Sequence, residues 1–408
     1  MATVTSKNKA EFDQKFMEQR GQVKPQTPEP TIKGLQTAFE EAIAYHTSLP
    51  RAERIANSRK AREEVGKYAS NDKGDPIDLL SKNAKLEKAE KGYKGGEPIK
   101  LADGSGVETT GLSLSPAHQE GKFITCPNSK SCAKSCLGKT AGHNFQTGGG
   151  NDLEAKLGPR LKHYKKTQAF LKSPEAFAVR LYDEIQAAKT MADLDGNHLG
   201  VRLNTLSDIH PRVWKPLMDA HPDVTFYDYT KLDTDPVAPN HHLTYSSTGI
   251  SQKTGDNGLE KGVTNPHQNW KTMRRRLDKG FNVAMAFSHK KEVPNELHDE
   301  ETGNRYEVVN GNTHDFRPLD QQAPGKKGVI VGLKNSANNT AEDTAANKSE
   351  GFFVHYDPKY KREGDKNTGK LMRDENGNPI VQNRRVTIPV QERQKININN
   401  DSNPTSEG

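Results

Sequence analysis

Cysteine is nearly absent from the 408-residue chain, with three residues in all. That is too few for the disulfide framework that staples small secreted domains, and it suits a reducing compartment. Aromatic residues are scarce at 6%, and hydrophobic residues reach only 31%. With a mean hydropathy of −0.93, part of the length is expected outside any core, in polar arms or long loops. Long apolar runs are missing as well: nothing approaches the ~18 consecutive apolar residues that a membrane-spanning helix needs. The stretch from Met1 to Lys9 lacks the apolar segment of a secretory signal. These absences predict a cytoplasmic protein with no membrane partner. Acidic residues are in deficit, 53 against 60 Lys and Arg for a net charge of +7, so nucleic acid is the partner class to which charge points.

Residues 1–34 are polar, with Pro25, Pro28 and Pro30 close together, and read as a flexible arm. Between Leu35 and Tyr45 apolar residues recur at three- and four-residue spacing, which predicts a helix; a more charged helix follows over Ala52–Tyr68. Residues 70–100 are rich in Lys, Gly and Asp, so 35–100 reads as a helical extension ending in a charged linker. The core is expected over 110–336. Its strands are expected at Leu112–Leu114, Leu199–Asn204, Val224–Thr230, Leu243–Ser247, Phe281–Phe287 and Lys327–Leu333. Helices are expected over Asn151–Lys172, Ser173–Lys189, Pro211–Ala220 and Asn265–Lys279. Ser173 and Pro174 stand where an N-cap and a first helical residue belong. Alternating strands and helices predict an α/β fold, a complete or partial parallel (β/α) barrel. The tail, 337–408, is polar and expected to be loosely structured, with weak strands at Phe352–Tyr356 and Arg385–Val390.

All three cysteines fall in one loop after the first core strand: Cys126, Cys132 and Cys136, with five and then three residues between them. Thiolates gathered on a short adaptable loop suit a soft metal or an iron–sulfur cluster. Three thiolates leave one position open. A [4Fe–4S] cluster could use it for a small molecule, whereas zinc would want a fourth ligand, for which His143 and His163 are the candidates. Three small buried hydrophobes are the plain alternative.

Chemistry in parallel α/β folds gathers at the carboxyl ends of strands. Three ends here are polar: Arg202, Asn204, Ser207 and Asp208; then Asp228, Tyr229, Thr230 and Lys231; then Ser246 and Ser247. A strand packed on both faces should carry Val, Ile and Leu. Arg202, Asn204 and Asp228 depart from that, and must either pair or serve a site. An internal Arg–Asp pair with a turn at Asp208 is the structural alternative. A further cluster over Asn310–Asp320 holds His314, Asp315 and Arg317 in a Gly-containing loop, and is otherwise a plain polar turn. Thr147–Gly150 is Gly-rich but lacks the preceding strand and following Lys of a phosphate loop. Lys162–Lys166 and Arg274–Arg276 are basic helix stretches, read as solvated faces or, with the net charge, as a nucleic-acid surface.

The order Leu112-Ser-Leu-Ser-Pro116, the cysteine loop, Val201-Arg-Leu-Asn204 with Ser207-Asp-Ile209, and Phe226-Tyr-Asp-Tyr-Thr-Lys231 resembles the phage gene product 88 family. His242-Leu-Thr-Tyr-Ser246, His314-Asp-Phe-Arg317 and Val329–Lys334 extend the likeness, which covers about 110–336. Where such proteins carry Asp-Gly-Asp, this chain has Asn310-Gly-Asn312, which weakens a metal role for that loop. The layout is similar to radical-SAM-like barrels, in which a three-cysteine loop follows the first strand. The resemblance implies Cys126, Cys132 and Cys136 as ligands of a [4Fe–4S] cluster with S-adenosylmethionine beside it. Asn204, Ser207, Tyr229 and Ser246 would then bind the cofactor, and Asp208, Asp228 and Lys231 would be catalytic. Two other functions stay open. One is a zinc-stapled, transglycosylase-like base-modifying enzyme with Asp208 or Asp228 as nucleophile. The other is a metal-stapled DNA-binding protein without activity. A phage-encoded chain would work in the host cytoplasm.

Overall fold

The computed structural model describes residues 30–83, 98–116, 123–128, 153–247, 270–320 and 325–335, with short pieces within 86–90, at 322 and within 352–388. Six α-helices accompany ten strands among these residues. Helix α1 (Ile32–Ser48) begins where Thr31 Oγ1 accepts the Gly34 N–H at 3.0 Å, and its Leu35, Phe39 and Ile43 stripe is buried. α2 (Arg51–Gly66) returns against it. α3 (Leu153–Lys172) and α4 (Pro174–Leu194) follow, with Pro174 at the first helical position as expected. The Ser173 hydroxyl lies 3.3 Å from Glu64 instead of capping α4. α5 (Lys215–Ala220) is short, and α6 spans Trp270–Asp278.

The strands are β1 (Leu80–Ser81), β2 (Gly106–Leu112), β3 (Asn197–Arg202), β4 (Thr225–Thr230) and β5 (His241–Ser246), then β6 (Val283–Phe287), β7 (Glu296–Asp299), β8 (Arg305–Asn310), β9 (Ile330–Lys334) and β10 (Arg385–Ile388). They form one sheet in the order β1-β2-β3-β4-β5-β6-β9-β8-β7-β10. From β2 to β8 every neighbouring pair is parallel, β1 and β7 are antiparallel to their inner neighbours, and β10 runs parallel to β7. The fold is therefore a mostly parallel α/β sheet. Its two end strands are not paired with each other among the described residues.

Apolar alternation places the core. Leu199, Val201 and Phe226 pack on one side against Phe39, Phe170, Phe177 and Trp214. The second half of the sheet buries Val283, Met285, Phe287 and Ile330 with Trp270 and Leu277 of α6. A smaller cluster joins Val107 and Tyr227 to Leu86 and Phe316. The stretch read as a linker thus contributes to the core. Glu184 accepts the N–H groups of Leu79 and Leu80 at 3.0 and 2.7 Å, Leu79 is buried, and Leu86 is wholly enclosed. In the tail the strand expected at Arg385–Val390 forms as β10 and pairs with β7, and Phe353, Val354 and Tyr356 of the other expected strand are buried, with Val354 bridged to Phe287.

Phe316 lies directly against Gly200 of β3. A Cβ there would stand 2.7 Å from Phe316 Cε2 and 3.2 Å from Tyr227 Cε1, nearer than packed atoms allow. Both rings are buried and cannot yield cheaply. Gly200→Ala should therefore lose about 1–3 kcal/mol in a urea titration. An unchanged midpoint would mean that Phe316 does not sit on β3.

Candidate functional site

Seven parallel strands put their carboxyl ends on one edge, and the polar residues gather there. The β3–β4 ladder has only two rungs, Gly200↔Thr225 and Val201↔Phe226, after which the strands separate. The Asp228 carboxylate stands in the gap, where Oδ1 accepts the Asn204 N–H at 2.8 Å. Burial raises the carboxyl of Asp228 to about 7, against the pull of Arg202 and the N–H groups of Asn204 and Leu203. Its Oδ2 is buried without a hydrogen-bond partner. Arg202 does not close a tight pair with it: the guanidinium Nε is 3.9 Å from Asp228, whereas Nη1 donates to Asp315 at 2.9 Å. The same guanidinium lies 4.8 Å from the Tyr229 ring centre, and burial raises the Tyr229 hydroxyl to about 12.

Asn204 and Ser207 shape the next turn. Asn204 Oδ1 accepts from Ser207 Oγ and from the Ile209 N–H, both at 3.0 Å, while its Nδ2 donates to Ile209 O at 3.0 Å. Asp208 then reaches across to β4. Its Oδ1 accepts from Thr230 Oγ1 at 2.8 Å and its Oδ2 from the Lys231 N–H at 2.9 Å. Burial raises its pKa, with Lys231 opposing. The Lys231 ammonium donates to Ser246 Oγ at 3.3 Å, linking the ends of β4 and β5.

The start of the cysteine loop is fastened to this edge. Thr125 O accepts the Asp208 N–H at 2.7 Å, the half-buried Cys126 thiol lies 3.6 Å from Leu206 O, and Asn128 Nδ2 donates to Lys231 O at 2.8 Å. Cys126, Asn204, Ser207, Asp208, Asp228, Lys231 and Ser246 therefore meet at one place. Cys132, Cys136 and His143 lie outside the described residues, as does Thr147–Gly150, and His163 is in α3. No group of three or more His, Cys, Asp and Glu that could hold a metal occurs among the described residues, which include one of the three cysteines.

Residues over Asn310–Asp320 are not a plain surface turn. Asp315, Phe316 and Arg317 are buried. Arg317 pairs with Asp320 at 3.0 Å and donates to His314 Nδ1 at 2.9 Å, and burial with the Arg317 charge pushes His314 down to about 4. Asn312 Nδ2 donates to Gly332 O and its Oδ1 accepts the Lys334 N–H, each at 3.3 Å, so it trims the end of β9. An Asp could only accept, which accounts for the amide in this chain's Asn-Gly-Asn. Thr125 and Asn128 also belong to the site, and nothing announced them beyond their nearness to Cys126.

Much of the two basic stretches is tied to the protein itself. Lys165 Nζ donates to Ser70 O and the buried Lys166 Nζ to Leu79 O, both at 2.7 Å, and burial lowers Lys166 to about 8. Arg274 pairs with Asp299 and Glu301, Arg275 with Asp233, and Arg276 with Asp233 and Asp235. Lys165, Lys166, Arg274 and Arg276 are thus engaged with the protein itself, whereas Lys162 and Arg275 stay exposed. Among the described residues no helix is long and apolar enough to cross a membrane.

Fold and site together define a class: parallel α/β proteins whose strand-end polar residues share an edge with a cysteine-bearing loop. Within that class, a family model described as gene product 88 matches residues 78–350, and the chain belongs to this phage family. The match begins at Asp78, earlier than the motifs suggested, and so takes in β1 and Leu86. No curated protein and no solved structure matches the chain.

Proposed function

We propose that the chain is an enzyme whose loop of Cys126, Cys132 and Cys136 holds a [4Fe–4S] cluster at the carboxyl edge, with S-adenosylmethionine bound beside it. One observation carries the reading: Cys126 and Asn128 are fastened to Leu206 O and Lys231 O, at the ends of the two strands that bear the polar residues. The donor set fits in kind, since three closely spaced thiolates favour a soft centre over a hard cation. A cluster held by three thiolates supplies an electron and keeps one iron open to a small molecule.

The chain's own residues have separable parts. Lys231, half-buried beside Ser246, offers an ammonium for a carboxylate, and Ser246 offers a hydroxyl. Asn204 and Ser207 shape the turn under Leu206. Asp208 ties the turn to Lys231 and Asp228 ties it to β4, so these carboxylates hold the edge in place. Tyr229 lies under Arg202 and closes the floor.

Metal analysis of anaerobically purified full-length protein tests the reading. It predicts a brown protein with about three to four irons and acid-labile sulfide per chain. A variant with all three cysteines changed to Ala should hold none and melt at lower temperature, because order in such a loop depends on the ion. One tightly held zinc in a colourless protein would move the assignment to the zinc-stapled readings. Protein that carries no metal, or a triple variant that keeps it, would end the proposal.

A further inference from the structure

At the carboxyl edge β6 outruns β5. The two pair only at Tyr245↔Val283 and Ser246↔Ala284, with one more bond from the Ser247 N–H to Ala284 O at 3.0 Å. On its other side β6 stays paired with β9 as far as Phe287↔Lys334. Ala286 O and the Ser288 N–H are thus left to be satisfied by something other than β5. The partner comes from beyond the family-matched region. Val354 N–H donates to Ala286 O at 2.8 Å and Val354 O accepts the Ser288 N–H at 2.9 Å, a parallel bridge between Phe287 and Val354. The Tyr356 N–H adds a bond to Ser288 Oγ at 3.0 Å. Phe353, Val354 and Tyr356 are buried, and the Tyr356 ring lies 6.4 Å from that of Phe287.

We propose that this overhang of β6 is a strand-binding slot. It takes an extended apolar peptide by main-chain pairing, and the chain's own Phe353–Val354 is its detachable occupant. Main-chain bonds at Ala286 and Ser288 supply affinity for any extended segment, and the packing of Val354 and Tyr356 selects an apolar residue with an aromatic two places on. Detachment is the corollary of so short a ladder. β6 and β9 share five rungs, whereas Val354 meets β6 at a single bridge, so this segment can open while the sheet stays closed and β10 stays on β7. The bridge at Phe287 stands three residues beyond Ala284, the partner of Ser246, so the occupant continues the sheet past the end of β5. This inference does not depend on the metal reading.

Hydrogen exchange on the full-length chain tests it. Two amides report separately: Ser288, just past the end of β6, which donates to Val354 O, and Val283, the first residue of β6, which donates to Val329 O just before β9. Val354→Pro removes the N–H given to Ala286. It should speed exchange at Ser288 by at least about tenfold and leave Val283 unchanged. A synthetic peptide of residues 351–358, Gly-Phe-Phe-Val-His-Tyr-Asp-Pro, added in excess should slow Ser288 again. Should Val354→Pro lower the melting temperature of the whole chain, Val354→Ala, which keeps the N–H, is read in the same way. Unchanged exchange at Ser288, equal acceleration of Val283, or a peptide without effect would each overturn the slot.

Discussion

Asp315→Ala is expected to cost about 3–5 kcal/mol of folding stability, the range for removing one partner of a buried ion pair. Arg202 and Asp315 have almost no exposed side-chain surface, and their 2.9 Å bond joins β3 to the loop after β8. Without Asp315 the Arg202 charge stays enclosed, with Asp228 at 3.9 Å as its nearest carboxylate. The loop would also lose its tether, and Phe316 its place against Gly200. Changing Arg202 and Asp315 together to Leu should cost less than Asp315→Ala alone, since no charge is left stranded. Urea titrations of the three proteins decide the matter. A loss below about 1 kcal/mol for Asp315→Ala would place the pair in solvent-exposed surroundings.

Asp228→Asn should change how stability depends on pH. The folded chain raises this carboxyl from 3.8 to about 7. Between those values the folded state therefore binds more protons than the unfolded one. The stability that this group contributes is complete below about pH 4 and is lost as pH rises through 7. The cause is geometric: Asp315 takes the short bond to Arg202, and burial denies Asp228 the solvation that its charge needs. Asn keeps an oxygen for the Asn204 N–H and carries no charge. Relative to the natural protein, Asp228→Asn should therefore gain about 2–4 kcal/mol between pH 4 and pH 8, at 1.36 kcal/mol per pKa unit. A difference that stays flat with pH would show that Asp228 titrates as an ordinary carboxylate.

Both results bear on how far strand-end polarity can be read as function. Arg202, Asn204 and Asp228 stood out because they break the apolar pattern of buried strands, and each sits at the edge to which that pattern pointed. Much of their bonding is to the protein itself, however: Asp228 to a backbone N–H, Asn204 around its own turn, Arg202 to Asp315. Residue type marks a position that must be compensated, and does not say whether the compensation is a neighbour or a ligand. The β7–β8 hairpin went unread for a related reason. Its strand Arg305–Asn310 buries only alternate side chains, Tyr306 and Val308, in an otherwise polar run. In the charged segment over 70–100, Leu79, Leu80 and Leu86 were too few to signal burial, because Glu184 and Lys166, which hold Leu79 from both sides, lie about a hundred residues away.

What the sequence determined by itself is local or periodic. It set the alternation of strands and helices that makes a parallel α/β sheet, the clustering of all three cysteines between positions 126 and 136, and the motifs of the gene product 88 family. Short-range spacing carries that information, since each element is specified by residues a few positions apart. The tertiary structure alone decided which charges are internal, which carboxylate shares Arg202, and what completes β6. Those outcomes rest on partners 113 residues apart for Arg202 and Asp315 and 68 apart for Ser288 and Tyr356. At such separations a contact exists only once the sheet has brought both ends of the chain to one edge.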